Sequence, residues 1–197
     1  MTTKVQICNM ALGAIGEKSN IQSITERSPQ AAKCNLYYDQ MVEVVLSDFD
    51  WNFASVTETL ALIGTAPTGW SYQYAMPSDC LAAREIVREI RINTDRIPYK
   101  IARDRTSNMR VILTNQAEAE LRYTGLVTDT SQFSPWFVEA LSLRLSAAIA
   151  EPLTRKKDLV VRQLQLYNRA LQAAAAASAN EEEQEESNDA DWIRDRE

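Results

Sequence analysis

The chain has 197 residues, of which 45% are hydrophobic, and its formal net charge is −6. This length and apolar content suit one folded domain with a small inserted module, which excludes a chain that is disordered throughout. Because the chain contains no histidine, serine–histidine and cysteine–histidine catalysis and the commonest zinc ligand are excluded. No run of about 18 apolar residues is present, so we predict no membrane span.

The negative charge is concentrated at the C-terminal end. Residues 181–197 hold nine acids and two arginines, a net charge of −7, so the remainder carries −6 minus −7, or +1. This composition predicts a disordered acidic tail, in which Trp192 and Ile193 are unusual. A nearly neutral body is a poor match to a dedicated DNA-binding domain, which needs a basic stripe.

The N-terminal residues and the cysteines bear on the cellular compartment. Polar residues interrupt the N-terminal segment too early for a signal-peptide core, so we expect the protein to stay in the cytosol of the cell that makes it. The three cysteines, Cys8, Cys34 and Cys80, are odd in number and widely spaced, which favours free thiols.

Two helices are predicted in the N-terminal part. Apolar residues recur at helical spacing over 3–15, and Gly16 follows as the C-cap. The second helix begins at Ser28 and Pro29, which suit the N-cap and the first helical position, and runs to about Ser47. The residues expected near one apolar face of this helix are Leu36, Met41, Val44 and Val45.

Five strands are predicted in the middle of the chain, where alternation replaces helical spacing. The first begins at Trp70, and Tyr72 and Tyr74 alternate there with polar residues. The other four cover 85–92, 96–102, 109–113 and 119–123. Alternation with short polar connections predicts one antiparallel meander that has one face in water.

Two further helices are predicted after the strands. Ser134 and Pro135 repeat the start signal of the second helix, and Pro152 is expected to end or kink the third one. The last helix is predicted over 158–179, with a seam that requires another helix as its partner. The residues of that seam are Val160, Leu164, Tyr167, Leu171 and Ala174.

Together these elements predict an α+β fold. Residues 1–50 and 132–180 are expected to form one four-helix bundle, and a β-rich module of residues 51–131 is inserted between its halves. The acidic tail covers residues 181–197.

Four segments carry a resemblance to a known family. They are NMALGAIG at 9–16, LSDFDWNFA at 46–54, YQYAMPSDCL at 72–81, and a strand followed by an apolar helix. The residues of this fourth segment are Leu121, Arg122, Tyr123, Phe133, Phe137, Ala140, Leu141, Leu145, Ala148, Ile149 and Ala150. In their order and spacing, over roughly residues 5–175, these segments resemble the head-to-tail adaptor, or tail tubular protein A, family of podoviruses.

The resemblance implies a structural virion protein, with no catalytic residues and no cofactor. Subunits of that family form a ring, here expected to be dodecameric, on the portal protein, and the tail nozzle (tubular protein B) and tail fibres attach to the ring. Genomic DNA is expected to pass through the lumen without sequence-specific binding, and no membrane partner is implied. The expected location is the head–tail junction of the virion, after assembly in the host cytoplasm.

The candidate interface residues are Trp136, Trp192 and Ile193. Trp136 lies in the first turn of a predicted helix, and tryptophan is enriched among the residues that dominate binding energy. We expect Trp192 and Ile193 to pack on a neighbouring subunit or on the portal. The remaining Trp51 and Trp70 are expected in the core.

The charged clusters have simpler interpretations. The glutamates of 181–186 are interpreted as part of a solvated tail, and Asp48 and Asp50 as capping or turn residues, because two aspartates without a third ligand are weak evidence for a metal site. The basic residues 155–157 are interpreted as a solvated link, with contact to DNA phosphates as the alternative.

Other functions remain open. The alternative is a head-completion or connector protein of a long-tailed phage, and the inserted β-module favours the short-tailed version. A tail-associated hydrolase is disfavoured by the missing histidine and by the lack of a paired carboxylate motif, and a DNA-binding regulator by the nearly neutral body.

Overall fold

The computed structural model describes residues 2–87 and 96–181, and within them the fold is α+β, as predicted. The α-helices are α1 (Lys4–Ala14), α2 (Pro29–Asp48), α3 (Pro135–Thr154) and α4 (Lys157–Glu181). The strands are β1 (Ser55–Thr59), β2 (Tyr72–Ala75), β3 (Cys80–Val87), β4 (Tyr99–Arg103), β5 (Arg110–Thr114) and β6 (Glu120–Gly125).

The helix starts lie where the sequence predicts them. Ser28 Oγ accepts from the backbone N–H of Ala31, and Ser134 Oγ accepts from that of Phe137, so both serines are N-caps. Pro152 was predicted to end or kink α3, and the prediction of an end is wrong, because the helix continues past Pro152 to Thr154. It ends where Arg155 adopts a left-handed conformation with φ 57°. No helix within the described residues is long and apolar enough to cross a membrane.

Residues of all four helices contribute to one hydrophobic core. The apolar face of α2 differs from the prediction, because Leu36 is 63% exposed. The face is set by Cys34, Tyr38, Met41 and Val45, which lie four, three and four residues apart, and Leu36 falls outside that spacing. The apolar residues of α2 are numerous enough to form either of two stripes along the helix. The packing of α2 against α3 determines which of the two stripes is buried.

A buried glutamine joins the two halves of the helical layer. Gln163 on α4 is almost fully buried, and its Nε2 donates to the carbonyl oxygen of Ala14 at 2.8 Å. Its Oε1 accepts from Ser146 Oγ at 3.1 Å. Because the last carbonyls of a helix have no partner within the helix, Gln163 caps the C-terminal end of α1. The buried face of α4 therefore contains a polar residue, which the predicted seam did not include.

The β-module contains two three-stranded antiparallel sheets, so the prediction of a single meander is wrong. Their strand orders are β1-β6-β3 and β2-β5-β4. In each sheet a late strand returns to the centre between two earlier ones, and β4 and β5 are the consecutive strands that pair. A second core lies in this module, and its members include Tyr74, Ile86, Ile112, Leu121 and Tyr123.

The individual strands match the predictions unevenly. Those predicted over 96–102, 109–113 and 119–123 correspond to β4, β5 and β6, and the strand predicted from Trp70 begins at Tyr72. β1 was not predicted, because all five of its residues are exposed and no apolar alternation exists there. The strand predicted over 85–92 begins earlier, at Cys80, and residues 88–95 lie outside the described residues.

An arginine on β3 connects this module to the end of α2. The register shifts between Ala83 and Glu85, so Arg84 is the extra residue of a β-bulge. Its Nη2 donates to the carbonyl oxygens at the end of α2 and just beyond it, and its Nε donates to Thr124 Oγ1 at 2.8 Å. The three acceptor carbonyls belong to Leu46 (3.3 Å), Ser47 (3.2 Å) and Phe49 (2.7 Å).

A second arginine completes this junction. Arg122 on β6 pairs with Asp50 Oδ2 at 2.6 Å through Nη1 and with Glu85 Oε1 at 2.8 Å through Nε. Arg84 Nε lies 3.6 Å from Asp50 Oδ1. Asp50 therefore holds two cations, whereas Asp48 accepts a hydrogen bond from the Tyr167 hydroxyl at 2.7 Å. We call Asp50, Arg84, Glu85 and Arg122 the ionic junction.

We expect Arg84→Met to destabilise the protein by about 2–3 kcal/mol, because the carbonyls at the end of α2 lose their donors and Asp50 loses a neighbouring cation. Urea unfolding followed by circular dichroism measures this change. The matched control is Lys100→Met on the exposed side of β4, for which we expect less than about 0.5 kcal/mol. Equal effects of the two substitutions would contradict the capping role of Arg84.

The stability should fall in strongly alkaline solution. Burial raises the pKa of Tyr167, and the hydrogen bond to Asp48 raises it further. Above pH about 10 the unfolded chain loses this proton while the folded chain keeps it, so the free energy of unfolding decreases as pH rises. Burial also raises the pKa values of Tyr38, Tyr99 and Tyr123. Tyr167→Phe should make the total decrease between pH 9 and 11 smaller by about 1.4 kcal/mol, measured by urea unfolding at several pH values in that range.

Candidate interaction surface

Trp136 lies in the first turn of α3, and its side chain is 41% exposed. The preceding Ser134 caps the helix and Pro135 begins it, so the backbone that carries the indole ring is fixed. A large, partly exposed aromatic side chain on a rigid element is a typical anchor for a protein partner. The structure therefore places this candidate interface residue at the surface.

A groove of about 400 Å³ lies beside Trp136. It is lined by the aromatic segment after α2, by the start of α3 and by the last turns of α4. The lining residues are Phe49, Trp51, Asn52, Phe53, Ser134, Pro135, Trp136, Ala174 and Ser178. Ala174 and Ser178 are four residues apart on α4, so two small side chains form one wall and leave the groove open. We call this the Trp136 groove.

The floor of the Trp136 groove is a packed aromatic cluster. The ring of Phe137 lies 5.1 Å from those of Trp51 and Phe53 and 4.6 Å from that of Phe133, in edge-to-face arrangements. Trp51 is only 3% exposed, and its Nε1 donates to the carbonyl oxygen of Val45 at 2.8 Å. The prediction that Trp51 belongs to the core is confirmed.

The apolar surface continues on the other side of Pro135. A second depression of about 350 Å³ lies there between α3 and α1. It includes Phe133 and Val138 of the α3 region and Met10 of α1, whose side chain is 46% exposed. Pro135 lines both depressions, so the exposed apolar surface extends from α1 to the last turns of α4.

The local charge of this surface favours an acidic partner. The first turn of α3 contains no acidic side chain, and the N-terminal end of a helix carries a partial positive charge from its unpaired N–H groups. The nearest acid that lines the surface is Glu139, which belongs to the depression on the α1 side. Among the described residues, none that lines the Trp136 groove itself is charged.

The other predicted site residues are distributed differently. Trp192 and Ile193 lie outside the described residues, as do the glutamates beyond Glu181. Trp70 was predicted to lie in the core, but it is half-buried and lies in a turn before β2. The backbone N–H of Trp70 donates to the carbonyl oxygen of Pro67 in this turn. The basic residues 155–157 form an exposed link into α4. In this link, Lys157 Nζ lies 3.9 Å from Glu151 Oε1.

The cysteines agree with the prediction of free thiols. Cys8, Cys34 and Cys80 are all buried, and none of them forms a disulfide. A hydrogen bond with Cys34 and burial raise the pKa of Cys8. Burial also raises the pKa of Cys80, so the thiols of Cys8 and Cys80 favour the protonated form, whereas the hydrogen bond with Cys8 lowers the pKa of Cys34. Within the described residues, no three side chains of cysteine, aspartate or glutamate come together as metal ligands.

Sequence reasoning missed a basic hairpin. Residues 96–110 contain five cations and one acid, and β4 and β5 pair to form this hairpin. The acid, Asp104, is engaged within the turn, because its Oδ2 accepts from the N–H and Oγ of Ser107 at 2.8 and 2.6 Å. Exposed Arg103, Arg105 and Arg110 surround this turn. The net charge of the whole body hides this cluster, because acids elsewhere in the sequence cancel it. A count of charged residues over a short sliding window identifies it.

Comparison with known proteins adds no relative to this picture. No family model matches the chain, and no significant match is found among curated proteins.

We expect Trp136→Ala to change the free energy of unfolding by less than about 1 kcal/mol, because the indole ring is partly exposed at a helix start. The neighbouring Phe137→Ala should cost about 3–5 kcal/mol, since that ring is fully buried in the aromatic cluster. Chemical unfolding of the two variants makes the comparison. A loss for Trp136→Ala as large as that for Phe137→Ala would show that the indole is structural.

Proposed function

We propose that this chain is a ring-forming structural subunit of a short-tailed phage, namely the head-to-tail adaptor between the portal and the tail nozzle. The observation that carries the proposal is the exposed Trp136 beside an aromatic groove on a fixed helix start. An exposed aromatic anchor over a rigid apolar floor is the form that energetically dominant contacts take at protein interfaces. The proposal is therefore a binding and assembly role, without catalysis and without a cofactor.

The order of the elements supports this assignment. Two helices precede the β-module and two follow it, which is the arrangement that the resemblance to the adaptor family implies. Within the proposal, α1 to α4 are a four-helix bundle, and the β-module projects from the end of α2. The alternative remains a connector of a long-tailed phage. The inserted module with its two sheets favours the short-tailed version.

A ring requires two different surfaces on each subunit, because each copy contacts the next head to tail. The Trp136 groove would be one such surface or the site for the portal. The basic hairpin would face an acidic neighbour and not the lumen, because DNA must slide and each phosphate contact adds affinity. In this arrangement, the nozzle protein and the fibres attach to the ring, and genomic DNA passes through it without sequence-specific binding.

The test uses the portal protein encoded in the same genome. Electron microscopy of the purified chain alone should show no ring, and mixing with portal rings should add a second ring of subunits to each portal. Absence of portal binding over a range of salt concentrations would contradict the adaptor role and favour another tail component.

Trp136→Ala should weaken portal or ring assembly at least tenfold, since a hot-spot tryptophan contributes about 2 kcal/mol or more. Sedimentation of the mixture at several subunit concentrations gives the midpoint of assembly. The matched control is Leu36→Ala, which removes an exposed apolar side chain from α2 away from the groove. Equal midpoints for wild type and Trp136→Ala would exclude the groove as the assembly surface.

A further inference from the structure

We propose that, in the free subunit, the Trp136 groove binds the C-terminal tail of the same chain, with Trp192 and Ile193 as the apolar anchor. Residues 182–197 of the acidic tail lie outside the described residues, and the Trp136 groove is a place on the described body that fits them. The inference concerns the isolated chain, so it stands or falls independently of the phage assignment.

The position of the groove is the first argument. Ala174 and Ser178 form one of its walls, and α4 ends at Glu181, within one helical turn of Ser178. The tail therefore starts next to the groove. Trp192 follows Glu181 by 11 residues, and a segment of that length can span up to about 36 Å. This reach is ample for the chain to turn back along α4.

The second argument is chemical complementarity. Trp192 and Ile193 are adjacent and are the only large apolar residues of the tail, which otherwise consists of acids, polar residues, two arginines and one alanine. The groove offers an aromatic floor and small side chains on one wall, with room for one large side chain beside Trp136. Solvent exposure of such a pair is unfavourable, and burial of an indole ring in an apolar site removes that cost.

The third argument is charge. The tail contains Asp189 and Asp191 just before the anchor and Asp195 just after it. The first turn of α3 contains no acid, the N-terminal end of this helix carries a partial positive charge, and no acid is among the described residues that line the Trp136 groove. The acids that flank the anchor would therefore meet a partial positive charge with no opposing carboxylate.

Attachment to the same chain favours this occupant over a separate molecule. A linker as short as the one between Glu181 and Trp192 gives a tethered segment an effective concentration on the order of 1 mM. Even if the free tail bound with a Kd of only about 0.1 mM, the groove would be about 90% occupied. An external partner must displace the tail, so the tail would keep the exposed apolar surface covered until a tighter partner arrives.

The experiment uses the full chain labelled with 5-fluorotryptophan and fluorine NMR. The four tryptophan resonances are assigned with single Trp→Phe variants. Docking predicts that the Trp192 resonance has the line width of the folded body and a small shift between H₂O and D₂O. Trp136→Ala should make the Trp192 resonance narrow and fully sensitive to D₂O, and Leu36→Ala should leave it unchanged. The resonances of Trp51 and Trp70 show whether each variant is folded.

The reciprocal variant leaves the body untouched. Trp192→Ala with Ile193→Ala should increase the D₂O shift of the Trp136 resonance, because the groove is uncovered. A narrow, solvent-exposed Trp192 resonance in the wild-type chain would overturn the proposal. Loss of the docked resonance on dilution, together with a dimer in sedimentation, would also overturn it by assigning the groove to the tail of a second copy.

Discussion

The unsatisfied carbonyl groups at the end of α2 are the constraint on which this structure depends. The chain leaves α2 without a glycine cap, so these acceptors need donors from elsewhere. The donors come from Arg84, which a β-bulge directs toward the helix, and Asp50 beyond the helix holds both Arg84 and Arg122. One partly buried network therefore links the helical part, which contains one hydrophobic core, to the β-module, which contains the other.

The same junction positions the candidate interaction surface. Residues 49–53 leave the junction and turn into the aromatic cluster, where Trp51 packs on Phe137 and donates to the carbonyl oxygen of Val45. The floor of the Trp136 groove is thus tied to the end of α2. Its wall belongs to α4, which the Tyr167–Asp48 hydrogen bond holds against the same helix end. Contacts outside the Trp136 groove therefore hold its floor and its wall in place.

The helices were predictable from the sequence because their signals are local. Ser28 with Pro29 and Ser134 with Pro135 mark two starts by chemistry that acts within one turn. The pairing of strands was not predictable, since β6 joins β1 over a separation of about 60 residues and β1 itself has no apolar alternation. Trp136 could be selected from its residue type and position. The groove beside it could not, because Asn52 and Ser178 come together across a separation of 126 residues.

The discontinuous helical layer has a consequence for the order of folding during synthesis. The buried residues of α1 and α2 pack on α3 and α4, and Gln163 reaches back 149 residues to cap α1. At about 5–20 residues per second, the ribosome needs roughly 4–17 s to make the 86 residues between the end of α2 and the start of α3. During that time the first two helices have no partner for their apolar faces, whereas the β-module is complete before α3 emerges. This order of synthesis favours formation of the sheets before α1 and α2 pack on α3 and α4.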